Sequence, residues 1–198
     1  LSSSIVDSFN MISVDGDTST NDTCLVLANG LAGNAEIAEK GEAYDRFCEA
    51  LHFVNTWLAK KMAGDGEGAT ALFETTVVNA ATKQEARILA KSVIGSSLCK
   101  AAIYGHDANF GRFLCALGYS GVQFDPEKVE LFFESKAGKM LIYKDGAATD
   151  YSEDEATKIL SEPEVTVLVD MKMGTETATA WGCDLTYDYV KINADYRS

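Results

Sequence analysis

A chain of 198 residues with a formal net charge of -13 lacks the basic face that nucleic acid or an anionic membrane demands, though a small anionic substrate answers to local groups and stays compatible. Its apolar content of 46% suffices for a real core, since a compact fold of this size buries roughly 70% of its unfolded surface. No apolar run approaches the ~20 residues that span a bilayer, Leu1 to Asn10 has no signal-peptide pattern, and five widely spaced cysteines without C-x-x-C point to free buried thiols in a reducing compartment.

In chain order, Leu1, Ile5 and Phe9 fall four apart, as in a short helix or the tail of a longer one. Ser13 to Thr23 is crowded with Asp, Ser, Thr and Asn. A calcium loop counted from Asp15 fails, because its sixth position is Thr20 and its twelfth is Val26. Side chains bonding their own backbone explain the stretch as a turn. The apolar run Cys24 to Ala28 is too short for a helix and ends at Asn29-Gly30, so it reads as a strand buried on both faces.

A long amphipathic helix follows the polar connection Asn34 to Gly41. Phe47, Ala50, Leu51, Val54, Leu58 and Met62 line one of its faces, and Lys60 and Lys61 lie in its last turn. Gly64 is placed to end it in a left-handed cap. Leu72 to Val78 then reads as a strand. The glycine-rich stretch Gly64-Asp65-Gly66-Glu67-Gly68-Ala69-Thr70 is thus a helix-to-strand turn that holds one acid, Glu67, where backbone can approach a ligand closely. Its order and spacing fit neither a dinucleotide fingerprint nor a phosphate-binding loop, which would need a Lys after the last glycine.

Two capping boxes, Thr82-x-x-Glu85 and Ser152-x-x-Glu155, predict helices carrying Ala86, Leu89, Ala90 and Val93 in the first case and ending before Pro163 in the second. Ala101 to Tyr104 is apolar but of undecided type, and Phe113, Leu114 and Leu117 suggest a short helix stopped by Gly118. Val129–Glu134 and Met140–Tyr143 flank Lys136-Ala137-Gly138 as a hairpin. Val165, Val167, Val169 and Met171 alternate as a strand, Met173-Gly174 turns it into Thr175–Asp184, and Leu185 to Ser198 fits either helix or strand. The whole is α+β with a mixed or antiparallel sheet.

The chemistry is sparse by these signals. The two histidines, His52 and His106, sit beside no nucleophile elbow, and no His/Cys cluster has metal-ligand spacing. Composition and spacing leave an α+β chain with one suspicious acidic turn.

Five stretches together add more: Ser8-Phe9-Asn10, Val14–Thr23 (VDGDTSTNDT), Gly64–Thr70 (GDGEGAT), Asp107–Arg112 (DANFGR) and Trp181–Ser198 (WGCDLTYDYVKINADYRS). In this order they resemble ornithine acetyltransferase, the bifunctional glutamate N-acetyltransferase family of arginine biosynthesis. The resemblance implies a precursor that cleaves itself into α and β chains, of which this is the β chain, assembled as α2β2 in the cytoplasm. It implies transfer of acetyl from N-acetylornithine to glutamate through an acetyl-threonine. The α-amine of an N-terminal Thr serves there as base for its own hydroxyl, which fits a chain with two histidines. No cofactor or metal is implied; acetyl-CoA enters as a candidate second substrate.

At its start the sequence departs from that pattern. The family's β chain begins with the threonine of an Ala-Thr-Met-Leu-like segment well before the Ser-Phe-Asn block, whereas seven residues precede Ser8 here. The nucleophile is therefore expected upstream of Leu1, no catalytic residue is assigned in this chain, and the chain alone is expected to be inactive. Substrate contacts do carry over, to Glu67, Asn193 and Ser198. Glu67 suits an ammonium, while the Asn193 amide and the Ser198 hydroxyl suit a carboxylate. Asp15, Asp17, Asn109 and Arg112 belong to family stretches without an assigned role.

The resemblance further implies that residues 1–68 contribute to an α-β-β-α layered core shared with the α chain. Residues 69–198 would form an α/β C-terminal domain whose tail, about 185–198, returns to the active site. Two other readings stay open. One is a related autoprocessing N-terminal-nucleophile amidohydrolase or aminopeptidase. The other is a non-catalytic subunit that binds an acetylated amino acid or stabilises a partner.

Overall fold

The computed structural model describes residues 1–196 as an α+β fold around one mixed sheet. Strands β1 (Leu72–Ala80), β2 (Glu130–Ser135), β3 (Gly138–Lys144), β4 (Ala147–Ala148), β5 (Glu164–Asp170) and β6 (Glu176–Cys183) lie in the order β4-β3-β2-β5-β1-β6. β1 and β5 run parallel, and every other neighbouring pair is antiparallel. The valine alternation sets the register. Val165 lies beside Phe73, Val167 beside Phe133, and Val169 beside both Val77 and Leu131. With a side-chain period of two, all of these share one buried face.

Helices α3 (Lys83–Ile94), α4 (Ser97–Tyr104), α5 (Phe110–Gly118) and α6 (Glu153–Leu160) supply the opposing apolar surface. α3 packs on β1 and β6, and α6 packs on β2. Phe113 of α5 joins the layers, meeting Phe73 and Phe133 edge to face at centroid distances of 6.2 and 5.1 Å. Both capping boxes open helices as read: Thr82 accepts from the Glu85 N–H at 3.1 Å and Ser152 from the Glu155 N–H at 3.4 Å. The undecided stretch before Gly105 is helical because Ser96 caps it in the same way, through the Cys99 N–H.

The amino-terminal part is built differently. A short helix α1 (Ser2–Ile5) and a 3-10 turn at Phe9–Met11 lead to a single bridge between Ile12 and Trp181 of β6. Arg87 of α3 anchors this segment with a two-pronged bond to Asp7, both contacts at 2.8 Å. That hydrogen bond holds the Asp7 carboxyl below the usual carboxylate range.

Four sequence expectations are corrected here. Cys24 to Ala28 is not a buried strand: it has no ladder partner, and Leu25 and Leu27 are 74% and 91% exposed. A strand needs an edge to pair with, and among the described residues none reaches it. The long helix α2 (Glu42–Gly64) forms, but it buries Asn55, Ala59 and Ala63, while Phe47, Val54, Trp57, Leu58 and Met62 face outward. Gly64 ends the helix without a left-handed cap; Asp65 closes it at φ -101° by donating its N–H to Lys61 and Met62 carbonyls. Of the cysteines, none is paired, yet Cys24 and Cys115 are exposed where burial was expected; Cys99 and Cys183 are buried. Burial pushes the Cys99 thiol up to about 11.

Thr82→Ala removes the cap of α3 and should lower stability by about 1 kcal/mol in urea titrations; an unchanged midpoint would show that the cap is dispensable. Asp7 carries a pH signature. Its folded-state pKa is depressed, so its contribution is complete above the ordinary carboxylate range and is lost as pH falls through the depressed value. The stability gap between wild type and Asp7→Asn should therefore shrink on acidification, and a gap independent of pH would refute this.

Candidate functional site

The turn between α2 and β1 is shaped by close approach. A Cβ on Gly66 would stand 2.7 Å from the Cys183 sulfur and 3.1 Å from a Val14 methyl. Gly68 has φ +68°, and a Cβ there would meet the Tyr189 nitrogen at 2.8 Å. So one glycine admits the amino-terminal segment and the end of β6, and the other admits the carboxy-terminal helix α7 (Tyr187–Asp195).

Residues just after β6 clamp this turn. Asp184, 3% exposed, accepts from the Thr70 N–H at 2.8 Å, from the Ala71 N–H at 3.1 Å and from the Thr70 hydroxyl. Two residues on, the Thr186 hydroxyl donates to the Gly68 carbonyl at 2.8 Å and accepts from the Tyr189 N–H at 3.2 Å, so one side chain both ties the turn and caps α7. Beneath them the buried Lys100 amine donates to the Cys183 carbonyl and lies 3.6 Å from its sulfur. Burial pushes the Lys100 pKa down and the Cys183 pKa up.

On this platform the polar side chains converge. Glu67 is exposed at the tip of the turn, and its Oε2 accepts from the Asn193 amide at 2.8 Å. The same amide nitrogen donates to the Tyr189 carbonyl at 3.0 Å, one helical turn back. Tyr189 donates its phenol to Asp15 at 3.0 Å, and Asp15 in turn accepts from the Asp17 N–H at 2.9 Å. That bond to Asp15 pushes the Tyr189 phenol up. Two carboxylates, Asp15 and Glu67, thus meet the phenol and the amide of one helix, from three distant parts of the sequence.

Of the residues singled out from sequence, Glu67 and Asn193 are brought into direct contact, and Ser198 lies outside the described residues. Asp107 turns toward its own loop, near Asn109 at 3.3 Å and Arg112 at 3.9 Å, while Arg112 also donates to the Leu98 carbonyl. Asp184, Lys100 and Tyr189 escaped sequence reasoning. The Thr186-x-x-Tyr189 spacing did contain a cap signal that would have favoured helix for the tail. An open cleft of about 650 Å³ lies on the α2 side of the turn, lined by Trp57, Lys60, Thr70 and Pro163, with neither Glu67 nor Asn193 in its wall. Among the described residues no group of His, Cys, Asp or Glu is arranged to hold a metal ion, and no helix is long and apolar enough to cross a membrane.

The sequence model of the ArgJ family matches residues 1–198. The arginine biosynthesis bifunctional protein ArgJ of Thermotoga neapolitana is 54% identical over 195 residues, 98% of this chain and 49% of its own length. A counterpart from Clostridium acetobutylicum is 50% identical over 198 residues, covering 100% of this chain and 48% of its own. The chain therefore spans about half the length of the curated relatives it matches. A crystal structure of the arginine biosynthesis bifunctional protein argJ from Bacillus halodurans superposes with a TM-score of 0.92 at 45% identity, over 98% of this chain and 90% of that one. Matched by the family model over residues 1–198 and 54% and 50% identical to these two relatives, this chain belongs to the ArgJ family.

Proposed function

We propose that this chain is the β subunit of an acetyltransferase that moves acetyl from N-acetylornithine to glutamate. The observation that carries the reading is the Glu67–Asn193 pair, 126 positions apart in sequence and 2.8 Å apart in space, on a turn clamped by a buried aspartate. Both residues are exposed, so the core does not require their meeting. A ligand would use them: the Glu67 carboxylate suits an amino-acid ammonium, and the Asn193 amide, once released from Glu67, has one N–H to give to a carboxylate.

The reaction itself follows from a threonine at the start of the β chain, upstream of Leu1. Its hydroxyl oxygen attacks the acetyl carbonyl of N-acetylornithine while its α-amine takes the proton. The C–N bond breaks and ornithine leaves with a proton on its amine. The amine of glutamate then attacks the acetyl-threonine ester, and the hydroxyl is restored as N-acetylglutamate departs. The α-carboxylate that both amino acids share falls to Asn193, while Glu67 pairs with the δ-ammonium of N-acetylornithine and then with the α-ammonium of glutamate, which gives up a proton before it attacks. Acetyl-CoA, as an alternative donor to the same threonine, would make the enzyme bifunctional.

The partner is an α chain from the same precursor, in an α2β2 assembly in the cytoplasm. Exposed apolar groups support it: Leu25, Leu27 and Leu31 in the loop, with Phe47, Phe53, Trp57 and Met62 on α2, form a surface of the kind that marks an interface. All lie within residues 1–68, the part assigned to a core shared with the α chain; residues 69–198 bring their own sheet.

Two measurements test the reading. The intact mass of the expressed gene product should show two chains, the one containing Leu1–Ser198 beginning with Thr and gaining one acetyl group from N-acetylornithine. Its acetyl should be released quickly only when glutamate is added; release to water at the same rate would install the amidohydrolase, and no acetylation would leave a binding subunit. Glu67→Gln should raise KM for both amino acids by roughly tenfold or more, the worth of a charged hydrogen bond. Gly68→Ala should do the same by displacing α7, and unchanged KM values in both would remove the site from this turn.

A further inference from the structure

Helix α7 is seated in an unusual way, and its seat has a consequence for the site. None of its residues from Tyr187 to Asp195 is buried, and Tyr187 and Val190 are 83% and 63% exposed. A nine-residue helix without an apolar seat is marginal in water, so its position rests on individual contacts. Its first turn is held by Thr186 on Gly68 and by an edge-to-face contact of Tyr187 with Tyr104 at 5.8 Å. Two further side-chain bonds fasten it among the described residues, one from the first turn and one beyond it: Tyr189 to Asp15 at 3.0 Å and Asn193 to Glu67 at 2.8 Å. Tyr189 and Asn193 are four apart and therefore share a face, one turn above the other.

These two bonds differ in one respect. The bond to Glu67 joins two groups assigned to the ligand, so an ammonium that takes the Glu67 carboxylate competes with Asn193 for it. The bond to Asp15 involves neither. From this geometry we infer that the Asp15–Tyr189 hydrogen bond is a latch that keeps α7 docked while Glu67 and Asn193 exchange each other for substrate. Tyr189 and Asp15 are positioning residues in this scheme, and the inference rests on the substrate roles proposed above for Glu67 and Asn193. It also gives a role to Asp15, whose other oxygen is already fixed by the Asp17 N–H, so that the carboxylate is aimed before Tyr189 arrives. The acidic loop after Ser13 would then be read through α7, without contact to substrate.

The test uses the full-length, two-chain protein carrying Tyr189→Phe, Asp15→Ala or both. Tyr189→Phe keeps the ring and removes only the donor. Hydrogen exchange of the α7 amides should quicken by roughly tenfold in each single variant, as loss of one charge-assisted bond implies, while exchange in β1 and β5 stays as in wild type. KM for N-acetylornithine and for glutamate should rise by a similar factor with kcat changed far less, and the double variant should be no worse than either single one. Unchanged α7 exchange would overturn the latch whatever the kinetics. Faster exchange with unchanged KM would overturn its positioning role, as would strictly additive effects in the double variant. If wild type transfers no acetyl group, the proposed function falls, and the exchange experiment still decides whether the latch exists.

Discussion

The organisation of the site depends on one buried carboxylate. Asp184 ends the edge strand β6 and is almost wholly enclosed, and its two oxygens take three donors from Thr70 and Ala71. A buried carboxylate left without donors is costly, and a hydrogen bond to a charged group is worth roughly 1.5–3 kcal/mol. The donors are available only if the chain folds back through the Gly66–Gly68 turn. Those glycines are in turn required because Cys183 and α7 come so close. Turn, strand end and helix start are therefore one unit, in which each part supplies what the others need. Lys100 completes it from below by holding the Cys183 carbonyl beside Asp184.

That unit is rigid, and what stands on it is not held by packing. Glu67, Asn193 and Tyr189 are joined by hydrogen bonds near solvent, and α7 buries no side chain. Elements that must admit and release ligands belong to the low-stability end of a fold, where contacts can be exchanged without disturbing the core. The clamp at Asp184 and Thr186 confines that exchange to the far turns of α7. A firm platform under an adjustable polar rim suits the proposed site, at which two different amino acids would bind in succession.

The amino-terminal part has the opposite character. A helix that turns small or polar groups (Asn55, Ala59, Ala63) inward and Phe47, Trp57 and Met62 outward is not amphipathic toward its own chain. The same holds for Leu25 to Leu31, an apolar stretch with no strand to pair with. Such patterns are explicable as half of a core whose other half is contributed by another chain.

Local features were legible in the residues. Capping boxes at Thr82 and Ser152, the valine alternation of β5, the hairpin around Gly138 and the glycine turn all depend on neighbours a few positions away, and each stands where its pattern placed it. The family resemblance further singled out Glu67 and Asn193, which no periodicity marks. Burial was legible only in part: an apolar stripe shows that a face will be covered, not by which chain, so α2 was read correctly as a helix and incompletely as a surface. Asp184, Lys100 and Tyr189 were invisible, because an aspartate, a lysine and a tyrosine in ordinary surroundings carry no local signal. By itself the sequence determined most of the elements and the family resemblance, while the types of Ala101–Tyr104 and of the tail and the fate of Cys24–Ala28 waited on the fold. Only the pairing of β1 with β6, closing more than a hundred residues of chain, decided that Glu67 should meet Asn193, since contacts of that separation depend on the whole fold being in place.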